Sequence, residues 1–240
     1  MKILALESSA VACSVCLTED DVLIAQTCEN SGLTHSVTLL PMAEELLKRC
    51  GVALHDIDVI AVAAGPGSFT GVRIGVSAAK GLGWALDKPC AKVSTLEAMA
   101  WGLSVWPGRI CPVMDARRNQ VYNALFSSDG ETVTRLTSDR AIGLEELGEE
   151  LKKAGEEQLL VGDGALLCYN HFNQLGLPVR LPTSNLRYQT AWGVARGALE
   201  LAREGKLVSA AQLVPEYHRL SQAERERLAR EEQMKKTEGE

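Results

Sequence analysis

Asp58-Val59-Ile60-Ala61-Val62-Ala63-Ala64 runs straight into Gly65-Pro66-Gly67-Ser68-Phe69-Thr70-Gly71, and that turn into Val72-Arg73-Ile74-Gly75. A near-continuous apolar run of strand length fits a strand covered on both faces. The glycine-rich turn then hands the chain to a helix that the spacing extends to about Leu86. Strand, glycine turn and helix N-terminus together are an α/β unit and a ready seat for an anion. The turn is not a P-loop, because Gly71 is followed by Val72 and Arg73 rather than Lys and Ser/Thr. It is not a hydrolase elbow either, since Ser68 lacks a glycine two positions before it. Two readings stay open: phosphate binding, or a tight turn whose glycines supply positive φ.

Along the helix, Gly71, Gly75, Ala79 and Gly83 recur every four residues and leave bare backbone on one side, while Arg73, Ser77 and Lys80 make a narrow polar stripe. That face packs closely either on its own sheet or on a second subunit. Upstream, Lys2 to Leu6, Cys13 to Leu17 and Val22 to Thr27 read as three consecutive strands, a meander. Thr34 is placed to cap a helix to about Cys50. Its apolar residues form two adjoining stripes: Leu40, Ala43, Leu47 and Cys50, and Leu39, Met42 and Leu46. One sheet needs only one apolar face, so this width implies a second contact.

Downstream, a short strand at Cys90 to Val93 and a helix from Thr95 to about Val105 lead to Trp106-Pro107-Gly108, the best domain boundary. The expected division is residues 1–105 as a first lobe, 106–217 as a smaller second lobe, and 218–240 as a charged tail. The second lobe shows strands at Ile110 to Met114 and Gln120 to Phe126, a helix from Leu144 to Ala154, and a strand at Gln158 to Val161. A helix near 190–204 is open to packing back on the first lobe. No internal repeat is visible.

Composition narrows the function classes. The chain has 240 residues, 46% of them hydrophobic, and a net charge of −6. Such a balance disfavours a free-standing nucleic-acid clamp, which needs clustered Lys and Arg. Only four apolar residues, Ile3 to Leu6, separate Lys2 from Glu7, so no signal peptide is read, and the uncharged stretch from Val59 to Val72 is shorter than the roughly 18 residues of a membrane span. The seven cysteines are odd in number and unpatterned, which fits reduced thiols and a cytoplasmic location. Cys13 and Cys16 lie three apart in a strand and should diverge rather than pair.

Candidate chemistry is sparse. Glu7 and Asp115 each close a strand, where two carboxylates facing a cleft would suit Mg-nucleotide chemistry with the Gly65 to Gly71 turn. His35, His55, His171 and His218 have no partner at metal spacing, and no metal or cofactor is expected.

The motifs Ile3-Leu4-Ala5-Leu6-Glu7-Ser8-Ser9, Ala12-Cys13-Ser14-Val15, His35-Ser36 with Leu39-Leu40-Pro41, and Gly65-Pro66-Gly67-Ser68-Phe69-Thr70-Gly71-Val72-Arg73-Ile74-Gly75 closely resemble the TsaB (YeaZ) family. Ser94-Thr95-Leu96, Asp115-Ala116-Arg117 with Val121-Tyr122, and Pro215-Glu216-Tyr217 extend the match. The resemblance is dense to about residue 125 and thinner beyond. It implies the actin-like ATPase fold: two ribonuclease-H-like lobes of mixed sheets flanked by helices, the second lobe reduced.

The resemblance also implies a role in making threonylcarbamoyladenosine at position 37 of transfer RNAs reading codons that begin with A. In that scheme TsaD is the direct partner and the catalyst, TsaE is reached through the TsaB–TsaD complex, TsaC makes the adenylate, and tRNA is contacted only through the assembly. Alone, the chain is expected to homodimerise. The His-x-x-x-His metal pair of TsaD corresponds here to Thr95 and Met99, and the Asp-Gly-Thr phosphate turn of active kinases to Glu7-Ser8-Ser9, so a non-catalytic subunit is implied. The partner interface is expected at Leu39, Met42, Leu46, Gly71, Gly75, Val76, Ala79 and Gly83. Anion or nucleotide contact within the complex is expected at Glu7, Gly65, Gly67, Ser68, Thr70, Arg73 and Asp115. The competing reading is an ATP-binding actin-like kinase or ATPase.

Overall fold

The computed structural model describes residues 1–218, so the charged tail assigned to 218–240 lies outside it apart from His218. The first lobe is a five-stranded sheet of β1 (Lys2–Glu7), β2 (Cys13–Glu19), β3 (Val22–Glu29), β4 (Val59–Gly65) and β5 (Cys90–Ser94), in the order β3-β2-β1-β4-β5. β1 pairs antiparallel with β2 and parallel with β4, and β4 pairs parallel with β5. The meander and the doubly covered strand are both present: every residue of β4 is buried.

The second lobe repeats that topology. β6 (Gly108–Asp115), β7 (Gln120–Asn123), β10 (Arg140–Gly143), β11 (Gln158–Val161) and β12 (Val179–Arg180) run in the order β10-β7-β6-β11-β12, with the same senses of pairing. Two short strands, β8 (Phe126–Ser128) and β9 (Val133–Arg135), extend it off the edge of β6. The sequence carries no repeat because strand order is fixed by backbone pairing and apolar patterning, which many sequences satisfy. Gln120 to Phe126, read as one strand, is split into β7 and β8, each paired with a different part of β6. This is the actin-like ATPase architecture of two ribonuclease-H-like lobes.

Helices α1 (His35–Cys50) and α2 (Phe69–Leu86) cover one face of the first sheet, where Leu4, Leu6, Val15, Leu17, Ile60 and Val62 point. Alternate residues, Ile3, Ala5, Cys16, Val59 and Ala61, point to the other face and are sealed by α6 (Ala191–Arg203). Cys13 and Cys16 accordingly sit in different cores. Next to α6 lies α3 (Thr95–Gly102), whose Leu96, Met99 and Ala100 pack on Ile110, Phe126 and Val161 of the second sheet. The outer face of that sheet is closed by α4 (Leu144–Ala154) and α5 (Ala165–Gln174), the latter missed in the sequence because its apolar spacing is short and unflanked by strong caps.

The burial pattern moves the expected partner face. Leu39, Met42 and Leu46 are buried in the first lobe's own core, as are Val76 and Ala79. The second stripe of α1 is used within the chain, since the helix packs on β2, β3 and α2 together. The glycine ladder is also intramolecular: a Cβ on Gly71 would lie 2.1 Å from the Ser8 carbonyl oxygen, on Gly75 2.6 Å from Ser8 Oγ, and on Gly83 2.5 Å from Cys90 Sγ. Among the large apolar residues that α1 and α2 leave outside are Val37, Leu40 and Trp84, with Ile74 partly exposed.

Candidate functional site: the interlobe cleft

The lobes enclose a cleft of about 460 Å3, lined by Pro66, Gly67, Ser68 and Phe69 on one side and by Met114, Asp115, Arg117, Tyr122 and Asp163 on the other. Glu216, Tyr217 and His218, a strap that returns from the C-terminal side, complete the wall. The strap is anchored where Glu216 N–H donates to the Ala64 carbonyl at 2.8 Å.

The glycine turn sits at the cleft but its concavity is filled by the chain itself. A Cβ on Gly65 would lie 2.3 Å from the Glu216 carbonyl oxygen, and one on Gly67 2.4 Å from that of Ser9. Ser68 N–H, a donor a phosphate would need, goes to the Ser9 carbonyl at 2.6 Å, and Ser8 Oγ donates to the Gly71 carbonyl at 2.9 Å. Ser68 Oγ caps α2 by accepting from Gly71 N–H. The glycines therefore serve close approach of backbone to backbone. Ser68 remains exposed in the cleft wall, whereas Thr70 is exposed in the groove between α1 and α2.

Arg73 is committed as well. Its Nε donates to Tyr217 Oη at 2.8 Å, its guanidinium lies 3.7 Å from the centre of the Phe69 ring, and the Phe69 and Tyr217 rings stack with centres 4.9 Å apart. A cation so engaged with two aromatic rings and a hydroxyl holds the strap on α2.

Two carboxylates sit side by side on the second-lobe wall of the cleft. Asp115, at the end of β6, accepts from Arg117 N–H at 2.7 Å, and its own N–H donates to Asp163 Oδ1 at 3.3 Å. Burial raises the pKa of Asp163, an effect reduced by the backbone donors and increased by Asp115. The sequence reading missed Asp163, which follows β11 in a Gly162-Asp163-Gly164 turn. That turn was the only signal available. Arg117, Arg118 and Asn119 beside it have φ of 66°, 56° and 56°, a left-handed run that is strained for residues with a Cβ.

Glu7 does not reach the cleft. It is wholly buried beneath it, with one carboxylate oxygen accepting from Ser9 N–H at 2.6 Å and the other, Oε2, unpaired among the described residues. Burial pushes its pKa up to about 7, hydrogen bonds from Ser9 oppose the rise, and Asp163 adds to it. Thr95 and Met99 are likewise buried, one turn apart on α3, and the Thr95 hydroxyl is unpaired among the described residues.

Of the expected site residues, the structure thus brings Gly67, Ser68 and Asp115 to the cleft wall, puts Glu7 and Gly65 inside, and pairs Arg73 with the strap.

Comparison with known proteins agrees with this architecture. Residues 28–174 match the family model of TsaD, tRNA N6-adenosine threonylcarbamoyltransferase. The chain is 36% identical to the tRNA threonylcarbamoyladenosine biosynthesis protein TsaB of Bacillus subtilis, over 93% of this chain and 96% of that protein. It is 32% identical to TsaB of Escherichia coli, over 91% and 95%. The solved structure of YeaZ from Pseudomonas aeruginosa superposes with a TM-score of 0.77 at 31% identity, covering 90% of this chain and 99% of that one. With nearly the whole length shared at this identity, and with the same fold, the chain belongs to the TsaB (YeaZ) family.

Proposed function

We propose that the chain is a non-catalytic subunit of the machinery that installs threonylcarbamoyladenosine at position 37 of tRNAs reading codons that begin with A, acting by binding and activating a TsaD partner. The observation that carries the reading is the filled glycine turn: the donors and space that would hold a transferring phosphoryl group are taken by Ser8, Ser9 and the strap. In the same sense, Thr95 and Met99 offer no imidazole pair where TsaD carries its own. The TsaB proteins of Bacillus subtilis and Escherichia coli, both named for this biosynthesis, support the pathway.

Binding would use the exposed side of α1 and α2, a groove of about 590 Å3 that includes His35, Leu40, Phe69, Thr70, Ile74 and Ala78. The same groove would serve a homodimer when TsaD is absent. TsaE would join through the TsaB–TsaD complex, TsaC would supply the adenylate, and tRNA would be held by the assembly.

Co-purification with TsaD and the modification assay with and without this chain test the proposal directly. Stable association and loss of modification in its absence are expected. Modification at an undiminished rate without the chain would overturn it. The adjacent Asp115 and Asp163 favour one other reading, an ATP-binding actin-like kinase or ATPase. Calorimetry with Mg-ATP on the isolated chain separates the two, with no saturable heat expected for the subunit.

A further inference from the structure

The strap has a second side. While Tyr217 stacks on Phe69, Glu216 and His218 also line a separate groove of about 360 Å3, opposite Asp139 just before β10. One carboxylate oxygen of Asp139, one of Glu216 and a ring nitrogen of His218 all lie within 4.8 Å of one another. Each carboxylate is already oriented by its surroundings: Asp139 Oδ2 accepts from Ser94 Oγ at 2.5 Å and Oδ1 from Arg135, and Glu216 is paired with Lys92 at 2.5 Å. The Asp139 side chain is only 7% exposed.

Charge around the groove does not close. Arg135 pairs with both Glu97 and Asp139, and Lys92 with Glu216, so two cations face three carboxylates and one negative charge is left over. An imidazole beside two carboxylates is a donor set for borderline divalent ions, whose ligand atoms stand roughly 3–4 Å apart when bound at about 2.0–2.2 Å. Exposed His218 and half-exposed Glu216 can rotate to close that gap, whereas Asp139 is fixed. Outer-shell donors on metal-bound carboxylates are the rule, and Ser94 and Lys92 stand in that place.

We propose that Asp139, Glu216 and His218 form a binding site for a divalent transition-metal ion of the zinc class, which clasps the C-terminal strap to the second lobe. Sequence spacing hides it, because Asp139 lies far along the chain from the other two. Since the strap also carries Tyr217 against Arg73 and α2, metal binding would fix the cleft wall and the start of the tail together. The inference does not depend on the role in tRNA modification.

The test is calorimetric titration of Zn2+ into the reduced, chelator-stripped full chain, with His218→Leu and Asp139→Asn alongside and circular dichroism as the check on folding. One saturable ion per chain is expected, with affinity lowered at least tenfold by either substitution, and a melting temperature raised by Zn2+ in the parent chain alone. Absence of saturable binding overturns the proposal. So does binding undiminished in either folded variant, which would assign the ion to thiols such as Cys28. If Asp139→Asn fails to fold, His218→Leu, an exposed position, decides alone.

Discussion

Glu7 carries a carboxyl group held wholly out of water. A carboxyl group with one unpaired oxygen and no solvent holds its proton up to about pH 7, whereas in the unfolded chain it ionises from about pH 4.5. Between those values the folded state binds more protons, so stability is lost as pH rises through that window and the deficit is fully present above it. At about 1.4 kcal/mol per pKa unit the deficit is on the order of 3 kcal/mol. Glu7→Gln should therefore raise the melting temperature at pH 8 and have a much smaller effect at pH 4.5, as differential scanning calorimetry across pH would record. An equal shift at both values would mean that Glu7 is ionised in the folded protein. Gly71 makes the opposite case at the same scale. A methyl group 2.1 Å from a backbone oxygen cannot be relieved by a side-chain rotation, so Gly71→Ala should cost at least about 3 kcal/mol in denaturant melts.

Among the elements, α1 and α2 each present two faces whose roles the burial separates. Val76 points into the core, Leu40 points outward, and Ile74 lies partly buried between the two. A buried charge without a partner is among the few changes that unfold a domain, so Val76→Glu should abolish the cooperative melt. Leu40→Glu combined with Ser77→Glu, both exposed in the groove between these helices, should leave the circular dichroism spectrum unchanged and the stability within about 1 kcal/mol of the parent yet prevent both homodimer formation and TsaD capture, read by light scattering and pull-down. Intact assemblies in that double variant would move the partner surface elsewhere. The strap is an element too. Tyr217→Ala removes one stack and one hydrogen bond at a half-exposed site and should cost about 1 kcal/mol or a little more.

For the whole molecule, the decisive feature is that α6, far along the chain, seals the inner face of the first sheet. Ala191, Val194, Ala195 and Leu199 bury Ile3, Ala5, Val59 and Ala61, and a Cβ on Gly193 would lie 1.9 Å from the Ala98 carbonyl oxygen of α3. Without α6 that face would be a large bare apolar surface. Residues 1–105 expressed alone should therefore lack a cooperative thermal transition, and adding the stretch through residue 214 by a linker should restore one. A sharp, reversible melt of the short fragment would show that the first lobe folds by itself.

The sequence by itself determined the first lobe. Apolar runs of strand length, the glycine turn and the helical spacing are local signals, set by backbone conformation and by which side chains must leave water. They gave the three-strand meander, the strand covered on both faces and the helix after Gly71, and the motifs gave the family. It did not determine which way the two-faced helices turn, because a core contact and a partner contact ask for the same apolar residues. Only the tertiary structure decided that Leu39, Met42, Leu46 and the glycine ladder are interior. It alone showed Asp115 meeting Asp163 and His218 meeting Asp139, since such pairs are made by strand order and by a returning strap. No spacing along the chain encodes a distance that arises when separate elements stack.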